Sequence, residues 1–359
     1  MPFEAIGILS IGEMGFGIAQ LLRAHHYRVL TYAADRSEST QHRAWLADIE
    51  LRPSLQNLID ESDVLLSIVP PAEALPTAER IIAAASVRHL VRDSPLYILD
   101  LNAVSPATAR ELAQLFRTTA RPDDLRFLSG GIIGSPPHFT KHAHHDRKPP
   151  NGTPTPETEG QKAAEDGEWK KPALVVSGPD ALPDAPLAAV LNMRHVSPEI
   201  GTAAALKMCF AALTKGFTAL AIESFTTAEG FGVLPELRGL LGEYKPAALG
   251  MAERGVVGMP SKAYRWVEEM REIGRTMQEG AGFGPDVYVS LLLVLWARGN
   301  RCADSNRFNG VAEVYQAVAA DPVLGLEKQK AGELRQRGKT VEDVVGCLQG
   351  SLKARKTES

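Results

Sequence analysis

Short apolar segments alternate with amphipathic helical patterns throughout the first half of this 359-residue chain. Candidate strands cover residues 5–9, 28–31, 64–69, 96–99, 126–128 and 174–176, and candidate helices begin at Gly15, Ser37, Pro76 and Ser105. This alternation is typical of a parallel sheet covered by helices. The sequence therefore predicts an α/β Rossmann-type N-terminal domain, and ligands of such sheets bind at the carboxyl ends of the strands.

Helical patterns replace this alternation after about residue 196. An alanine-rich apolar run predicts one long helix over residues 201–231, and shorter helices are predicted over residues 235–241, 263–280, 285–298, 311–319 and 341–348. We therefore expect a Rossmann-like domain at residues 1–196 and an all-α C-terminal domain at residues 197–359. Within the first domain, residues 136–172 are rich in Pro, Gly, Lys, Glu and His, which predicts a low-complexity surface insertion without order of its own.

The overall composition favours a protein that binds a small molecule. The 39 basic and 43 acidic residues are mixed along the chain, so no basic stripe is available for nucleic acid or an anionic membrane. No leader precedes the first candidate strand, and the longest apolar run, residues 289–297, is too short to span a bilayer. The cysteines Cys209, Cys302 and Cys347 are far apart and predict buried thiols in a reducing compartment. We therefore expect a cytoplasmic protein.

A metal site is not expected. Four histidines, His138, His142, His144 and His145, lie close together in the sequence and could in principle act as ligands. They fall in the low-complexity insertion, however, and none is tied to a predicted helix or strand. A solvated segment is the preferred interpretation.

The stretch GILSIGEMGFG, residues 7–17, has the context of a nucleotide-binding turn, because an apolar strand precedes it and a helical pattern follows. It departs from the G-x-G-x-x-G fingerprint at the first glycine, where Ser10 stands. We expect serine to be tolerated there if its backbone keeps a negative φ. The predicted cofactor contacts in this turn are Ser10, Ile11, Gly12, Glu13, Met14 and Gly15. The alternative is a plain strand-to-helix turn whose glycines serve packing.

Three further strands end in residues that could contact a ligand. One buried strand ends at Val69 and is followed by Pro70 and Pro71, and Asn102 follows another strand, just before a helix start capped by Ser105. The segment RFLSGGIIG is interpreted as a strand that closes in a glycine-rich, polar turn, suited to a flat ligand that lies against the backbone. Val69, Pro70, Pro71 and Asn102 are predicted cofactor contacts.

Several segments together resemble a known superfamily. GILSIGEMGFGIAQLL, DVLLSIVPP, LDLNAVSPATA, SGGIIG and GTAAALKMCFAALTKG occur in the order and spacing of the β-hydroxyacid dehydrogenases and 6-phosphogluconate dehydrogenases. ALTKGFTAL, RWVEEMREIGRTM and FNGVAEVYQAV resemble the subgroup whose C-terminal domain is described only as phosphogluconate-dehydrogenase-like. The resemblance covers nearly the whole chain. It implies a dehydrogenase or reductase that binds its substrate between the two domains and forms a homodimer through the helical domain.

The resemblance also implies catalytic residues. The superfamily's catalytic lysine corresponds to Lys207, near the start of the predicted long helix, where it would act as general acid in reduction and as base in oxidation. Lys215, two helical turns further on, is the second candidate, and a structural or substrate-orienting role is equally compatible with its position.

The substrate positions depart from the family pattern. Ile133 stands where hydroxyacid dehydrogenases carry a serine, and Phe210 and Ala211 stand where an asparagine pair is expected. These apolar replacements favour a bulkier, less charged carbonyl, hydroxyl or imine substrate over a small hydroxy acid. Asn102, Ser129, Gly130 and Gly131 are expected to lie near it.

The cofactor prediction rests on the residues after the second strand. Arg36 and Ser37 follow that strand and are suited to a 2′-phosphate, which predicts NADP(H). Asp35 keeps NAD open as an alternative, because a carboxylate there could bind the ribose hydroxyls. Two other functions are also open: an imine reductase-like enzyme, and a sensor or scaffold that binds NADP(H) without turning it over.

Overall fold

The computed structural model describes residues 3–32, 38–86, 94–118, 124–141, 167–282, 309–328 and 334–358. Ten strands are present in these ranges: β1 (Ala5–Leu9), β2 (Arg28–Tyr32), β3 (Glu50–Arg52), β4 (Val64–Ser67), β5 (Leu96–Asp100), β6 (Leu125–Ile133), β7 (His138–Lys141), β8 (Gly167–Lys170), β9 (Ala173–Ser177) and β10 (Met193–Ser197). The helices of the first half are α1 (Glu13–Ala24), α2 (Glu38–Leu46), α3 (Leu55–Glu61), α4 (Ala74–Ser86), α5 (Pro106–Arg117) and α6 (Ala185–Val190). Those of the second half are α7 (Thr202–Phe231), α8 (Leu234–Tyr244), α9 (Pro246–Gly258), α10 (Ala263–Ala281), α11 (Asn309–Ala319) and α12 (Val341–Glu358).

Eight strands form one sheet in the order β10-β9-β6-β5-β4-β1-β2-β3. All neighbours in it run parallel except β6 and β9, which pair antiparallel through residues 129–133 of β6. The central strands β1 and β4 are buried along their whole length, as expected for strands covered on both faces. From β1 the chain continues to β2 and β3 on one side, and β4, β5 and β6 follow on the other side of β1. The strand order therefore reverses between β1 and β4, which is the position where ligands of such folds bind. The predicted α/β Rossmann-type domain followed by a helical region is confirmed.

Helix α7 is the centre of the second half. Its 30 residues begin after Gly201, whose positive φ of 96° and contact with Pro106 set the entry of the helix against α5. The helix packs on β6 and β9 at its start and on α9, α10 and α12 further along. By length and hydropathy α7 is the one helix in the described residues that could cross a membrane, a test that the core helix of a soluble protein also passes.

The structure corrects several details of the sequence interpretation. Ser129, Gly130 and Gly131 lie in the interior of β6 and not in a turn that closes it. Part of the insertion is ordered, because β7 and β8 pair as an antiparallel ribbon held by the edge-to-face contact of Phe139 with Trp169. The pattern missed β3, α3, α6, β10 and α9, which are short or lack a clear period.

The cysteines are also less buried than predicted. Cys209 is exposed on α7 and Cys347 is partly buried, so the prediction of buried thiols is wrong for both. Cys302, the helix predicted over residues 285–298 and the apolar run at 289–297 lie outside the described residues. The division of the chain at residue 196 stays a prediction.

Candidate active site

The turn after β1 has the geometry of a nucleotide-binding turn. Gly12 is the N-cap of α1, and a Cβ built on it would meet no atom within 4 Å. A Cβ on Gly15 would lie 2.2 Å from the carbonyl oxygen of Ser10, so only glycine allows α1 to pack this closely on the end of β1. Gly12 thus faces open space, while Gly15 is required by packing.

Ser10 does not keep the negative φ that the sequence interpretation required of it. Its φ is 72°, in the left-handed region that favours glycine. The turn therefore has the backbone shape of a glycine turn in spite of the serine. Ile11 is buried in the core, so it could contribute only backbone groups to a ligand, whereas the side chain of Glu13 is exposed and Met14 is partly buried.

A small pocket lies beside this turn. Its lining brings together the ends of β1 and β2, the start of α3, the second residue after β4 and the first two turns of α4: Leu9, Ser10, Tyr32, Leu55, Val69, Thr77 and Arg80. The predicted specificity residues Arg36 and Ser37, together with Asp35, lie outside the described residues.

Asn102 connects the ends of β4 and β5. Its side-chain oxygen accepts a hydrogen bond of 2.7 Å from the backbone N–H of Val69, and its amide donates to Ser67 Oγ at 3.2 Å and to Asp100. Both amide hydrogens are therefore engaged by the protein. Asn102 fixes the start of the turn that contains Pro70 and Pro71, and the Pro71–Glu73 segment of this turn contacts α10 of the helical region.

A row of polar residues crosses the sheet below α7. Ser67, Asp100, Ser129 and Ser177 are successive neighbours on β4, β5, β6 and β9, and Ser177 Oγ accepts a hydrogen bond from the backbone N–H of Ala203 in the first turn of α7. Burial raises the pKa of Asp100 to about 7, although the hydrogen bonds from Asn102 oppose the shift. Within the described residues, Asp100 Oδ2 and Ser129 Oγ have no hydrogen-bond partner.

The two glycines of β6 allow the close approach of two different neighbours, α7 at Gly131 and β9 at Gly130. A Cβ on Gly131 would lie 2.8 Å from both Cβ and Cγ of Lys207, and a Cβ on Gly130 would lie 2.7 Å from the carbonyl oxygen of Val175. The side chain of Lys207 thus runs along β6 at Gly131. The two glycines of the SGG motif are therefore required for packing, in addition to any contact with substrate.

The other predicted substrate residues occupy different environments. Ile133 ends β6 and is partly exposed, and Phe210 is 44% exposed on α7. Ala211 is buried in the core of the helical region, away from solvent.

Two lysines of α7 converge on one buried carboxylate from α10. Lys207 Nζ is 3.8 Å from Glu269 Oε1, and Lys215 Nζ forms an ion pair with Glu269 Oε2. All three side chains are largely buried, with 13%, 17% and 7% of their surface exposed. The Lys215 ammonium also lies 4.7 Å from the centre of the Trp266 ring.

The electrostatics of this cluster are set by burial and mutual attraction. Desolvation lowers the pKa of Lys215 to about 8, and Lys207 and Arg265 push it the same way, while Glu269 opposes the shift. Burial alone would raise the pKa of Glu269, but the charges of Lys215 and Lys207 hold it below its usual value. A lysine with a pKa near neutrality is suited to proton transfer.

Helix α10 also attaches the helical region to the sheet domain. The buried Glu272, one turn after Glu269, accepts hydrogen bonds from the backbone N–H of Ser105 at 2.6 Å and from Thr108 Oγ1 at 2.9 Å. Its carboxylate therefore caps α5, the helix that follows Asn102, and reinforces the predicted cap by Ser105.

Glu269 and Glu272 were missed in the sequence interpretation. The signal that could have found them is two carboxylates three residues apart on the apolar face of RWVEEMREIG, where an amphipathic helix normally carries no charge. Within the described residues no group of three or more His, Cys, Asp or Glu side chains is arranged to hold a metal ion.

Comparison with known proteins places this geometry in a known fold. Residues 228–318 match a family described as a domain of unknown function, DUF1932. A relative from Methanothermus fervidus, the uncharacterized 28.5 kDa protein in the 7S RNA 5′ region, is 23% identical over 270 residues, which cover 75% of this chain and 88% of the relative.

Two solved structures are similar over almost the whole chain. Mycobacterium tuberculosis 3-hydroxyisobutyrate dehydrogenase with L-serine has a TM-score of 0.54 at 15% identity and covers 98% of this chain and 99% of its own. Psf3 in complex with NADP⁺ and 2-OPP has a TM-score of 0.51 at 18% identity and covers 92% and 97%. The chain therefore has the fold of the 3-hydroxyacid dehydrogenases, and the resemblance predicted from its motifs is confirmed at this level. The DUF1932 segment supplies Trp266, Glu269 and Tyr315 around the lysines.

Proposed function

We propose that the protein is an NADP(H)-dependent oxidoreductase that transfers a hydride between the nicotinamide and a hydroxyl or carbonyl carbon of a small substrate. The observation that carries the proposal is the cluster of Lys207, Lys215 and Glu269, in which the side chain of Lys207 packs on Gly131 of β6, beyond the end of β5. The NADP⁺ complex of a protein with the same fold supports the choice of cofactor.

The turn after β1 fits a dinucleotide. The open space at Gly12 admits a pyrophosphate, and the free N–H groups at the start of α1 attract its negative charge. We assign the adenosine end to the pocket that Tyr32 and Thr77 line. Arg36 and Ser37 are the proposed contacts of a 2′-phosphate, and Val69, Pro70 and Pro71 are proposed to face the nicotinamide half. NAD is the alternative cofactor, so NADH and NAD⁺ belong in the substrate screen.

NADPH, when bound, would supply the hydride chemistry, and in the reductive direction Lys207 would hold the proton that the carbonyl oxygen takes up. In the oxidative direction Lys207 accepts the hydroxyl proton. Glu269 holds the ammonium in place and compensates part of its charge in a site that excludes most water. The proposed substrate residues are Ser129, Gly130, Gly131, Ile133, Phe210 and Ala211. Among these six, Ser129 supplies a buried side-chain oxygen without a hydrogen-bond partner in the described residues.

The test is a screen of aldehydes, ketones, hydroxy acids and imines with NADPH, NADP⁺, NADH and NAD⁺. We expect turnover of a carbonyl or hydroxyl compound with NADP(H), and a loss of about 10²- to 10⁴-fold in Lys207→Ala, the usual contribution of a general acid or base. The control is Lys245→Ala, because Lys245 is exposed at the start of α9.

Each rival function predicts a different result of this screen. Turnover of imines alone would favour the imine reductase-like enzyme. Tight NADPH binding without turnover of any compound would favour the sensor or scaffold, for which the apolar residues at Phe210 and Ala211 are the motivating observation. Full activity in Lys207→Ala would contradict the proposed mechanism.

We also propose a homodimer that pairs through α7. Leu206, Phe210, Leu213 and Leu220 lie at spacings of three, four and seven residues and are between 38% and 78% exposed. Such a contiguous apolar stripe on one helix is typical of an interface. Size-exclusion chromatography with light scattering should give a dimer for the wild type and a monomer for Leu213→Asp, whereas a dimeric Leu213→Asp would place the interface elsewhere.

A further inference from the structure

Lys215 is a buried cation that the proposed hydride transfer does not itself require. It lies two helical turns from Lys207, about 12 Å along the axis of α7, yet both ammonium groups reach the carboxylate of Glu269. Two cations and one anion are thus enclosed together, with an excess positive charge. Burial of uncompensated charge is unfavourable, and the system can relieve it by losing a proton.

We propose that Lys215 and Glu269 form a titratable pair that sets the charge around Lys207. With Lys215 protonated, Glu269 is shared between two ammonium groups. When Lys215 loses its proton to solvent, the whole carboxylate charge is left to Lys207. The inference builds on the proposed role of Lys207, but its test needs neither cofactor nor substrate.

The surroundings of Lys215 favour titration of this group. Among the described residues, the charged groups that act on the Lys215 ammonium are Glu269 and Arg265 on α10 and Lys207 on α7. Tyr315 on α11 is also close, but its hydroxyl donates to the backbone carbonyl of Lys215 at 2.5 Å and leaves the ammonium to Glu269 and Trp266. With a pKa of about 8, Lys215 changes charge close to physiological pH, where an exposed lysine would stay protonated.

The pair would act on Lys207 through position and charge. The second ammonium repels Lys207 and competes for the same carboxylate, so its deprotonation strengthens the hold of Glu269 on Lys207. Glu269 is in this sense a positioning residue that two lysines share, and the titrations of such interacting groups depend on each other.

The test is a pH titration of tryptophan emission from pH 6 to pH 10, with the full chain and no ligand. The Trp266 ring lies next to the Lys215 ammonium, so the difference between the wild type and Trp266→Phe isolates its signal. We expect a transition with a midpoint near pH 8 that is absent in Lys215→Arg, because arginine keeps the charge and the contact with Glu269 but stays protonated.

Two further variants predict opposite shifts of the midpoint. Lys207→Met removes a like charge and should raise it by about one pH unit, whereas Glu269→Gln removes the attraction and should lower it by about as much. A purely structural Lys215 would give no transition, or one that neither substitution moves, and either result would overturn the proposal.

A second measurement covers the case in which a variant does not fold. Lysine labelled with ¹³C at Cε reports the same titration by NMR in the wild type. If only one of Lys207→Met and Glu269→Gln folds, the change of the titration midpoint in that variant decides the outcome. A failed substrate screen would leave this result standing, so failure of the proposed function and failure of this inference are distinguishable.

Discussion

Ser10 adopts a left-handed backbone conformation that the turn after β1 imposes on a residue with a side chain. Such a conformation is unfavourable for an L-residue other than glycine by about 1–2 kcal/mol. Replacement of Ser10 by glycine should therefore raise the free energy of unfolding by about 1 kcal/mol, as measured by chemical denaturation.

The matched control for this substitution is Ser10→Ala. Alanine lacks the hydroxyl but keeps the Cβ, so the conformation stays unfavourable and no gain is expected. Equal stabilisation by alanine and glycine would show that the serine hydroxyl, and not the backbone, is the source of the effect.

Asp100 should make stability depend on pH in a defined direction. Its pKa is raised to about 7 in the folded protein, so the folded state holds this proton more tightly than the unfolded state. The resulting stabilisation is complete below about pH 4 and is lost as the pH rises to about 7. The unfolding free energy of Asp100→Asn minus that of the wild type should therefore increase across this window by at most about 4 kcal/mol and stay level above it.

The measurement is urea unfolding at several pH values, with Ser67→Ala as the control because it alters a neighbour of Asp100 without changing its charge. A difference between Asp100→Asn and wild type that stays constant from pH 4 to pH 7 would mean that Asp100 ionises in its ordinary range.

At the scale of the secondary-structure elements, the sequence predicted those strands and helices that short-range patterns mark. Strands β1, β2, β4, β5 and β9 were found because their apolar runs are bounded by turn residues, and α7 was found from its long apolar run. The continuation of β6 through Ser129, Gly130 and Gly131 was missed, because glycines normally indicate a turn. Here Gly131 is needed for the close approach of α7 and Gly130 for that of β9.

Glu269 shows the limit of such reasoning within the candidate site. The family resemblance pointed to Lys207 and Lys215 on α7, but their partner comes from α10, more than fifty residues away, and is defined only by the packing of the two helices. Charge on the buried face of α10 is visible in the sequence, but the identity of its partners is not.

We expect the substitution of Glu272 in α10 to lower the free energy of unfolding much more than the substitution of Glu279 in the same helix. Glu272 is buried and accepts hydrogen bonds from α5, so Glu272→Ala leaves a buried N–H without an acceptor and should lower the free energy of unfolding by about 2–3 kcal/mol. Glu279 pairs with Arg110 at the surface, and Glu279→Ala should lower it by less than about 1 kcal/mol. Similar losses in the two variants, measured by guanidinium unfolding, would contradict a role of Glu272 in attaching α10 to α5.

At the scale of the whole molecule, the sheet supplies the edge that we propose binds the cofactor, and the helical region supplies the charged cluster of Lys207, Lys215 and Glu269. The Pro71–Glu73 segment and the start of α5 both meet α10, which also carries Glu269. One helix therefore links the strand ends to the lysines. In the proposed function, α10 is thus the part of the DUF1932 segment that connects the sheet with the two lysines.

The most direct test of this account is the binding of NADPH to the wild type and to Gly12→Val, followed by cofactor fluorescence and paired with thermal unfolding. A valine side chain at this position meets no protein atom near its Cβ, so the variant should fold normally, but it should fill the space assigned to the pyrophosphate and abolish binding. Ser10→Gly should bind NADPH as the wild type does. Undiminished binding by a folded Gly12→Val, or no binding of NADPH or NADH by the wild type, would contradict the central claim that this edge of the sheet holds the cofactor.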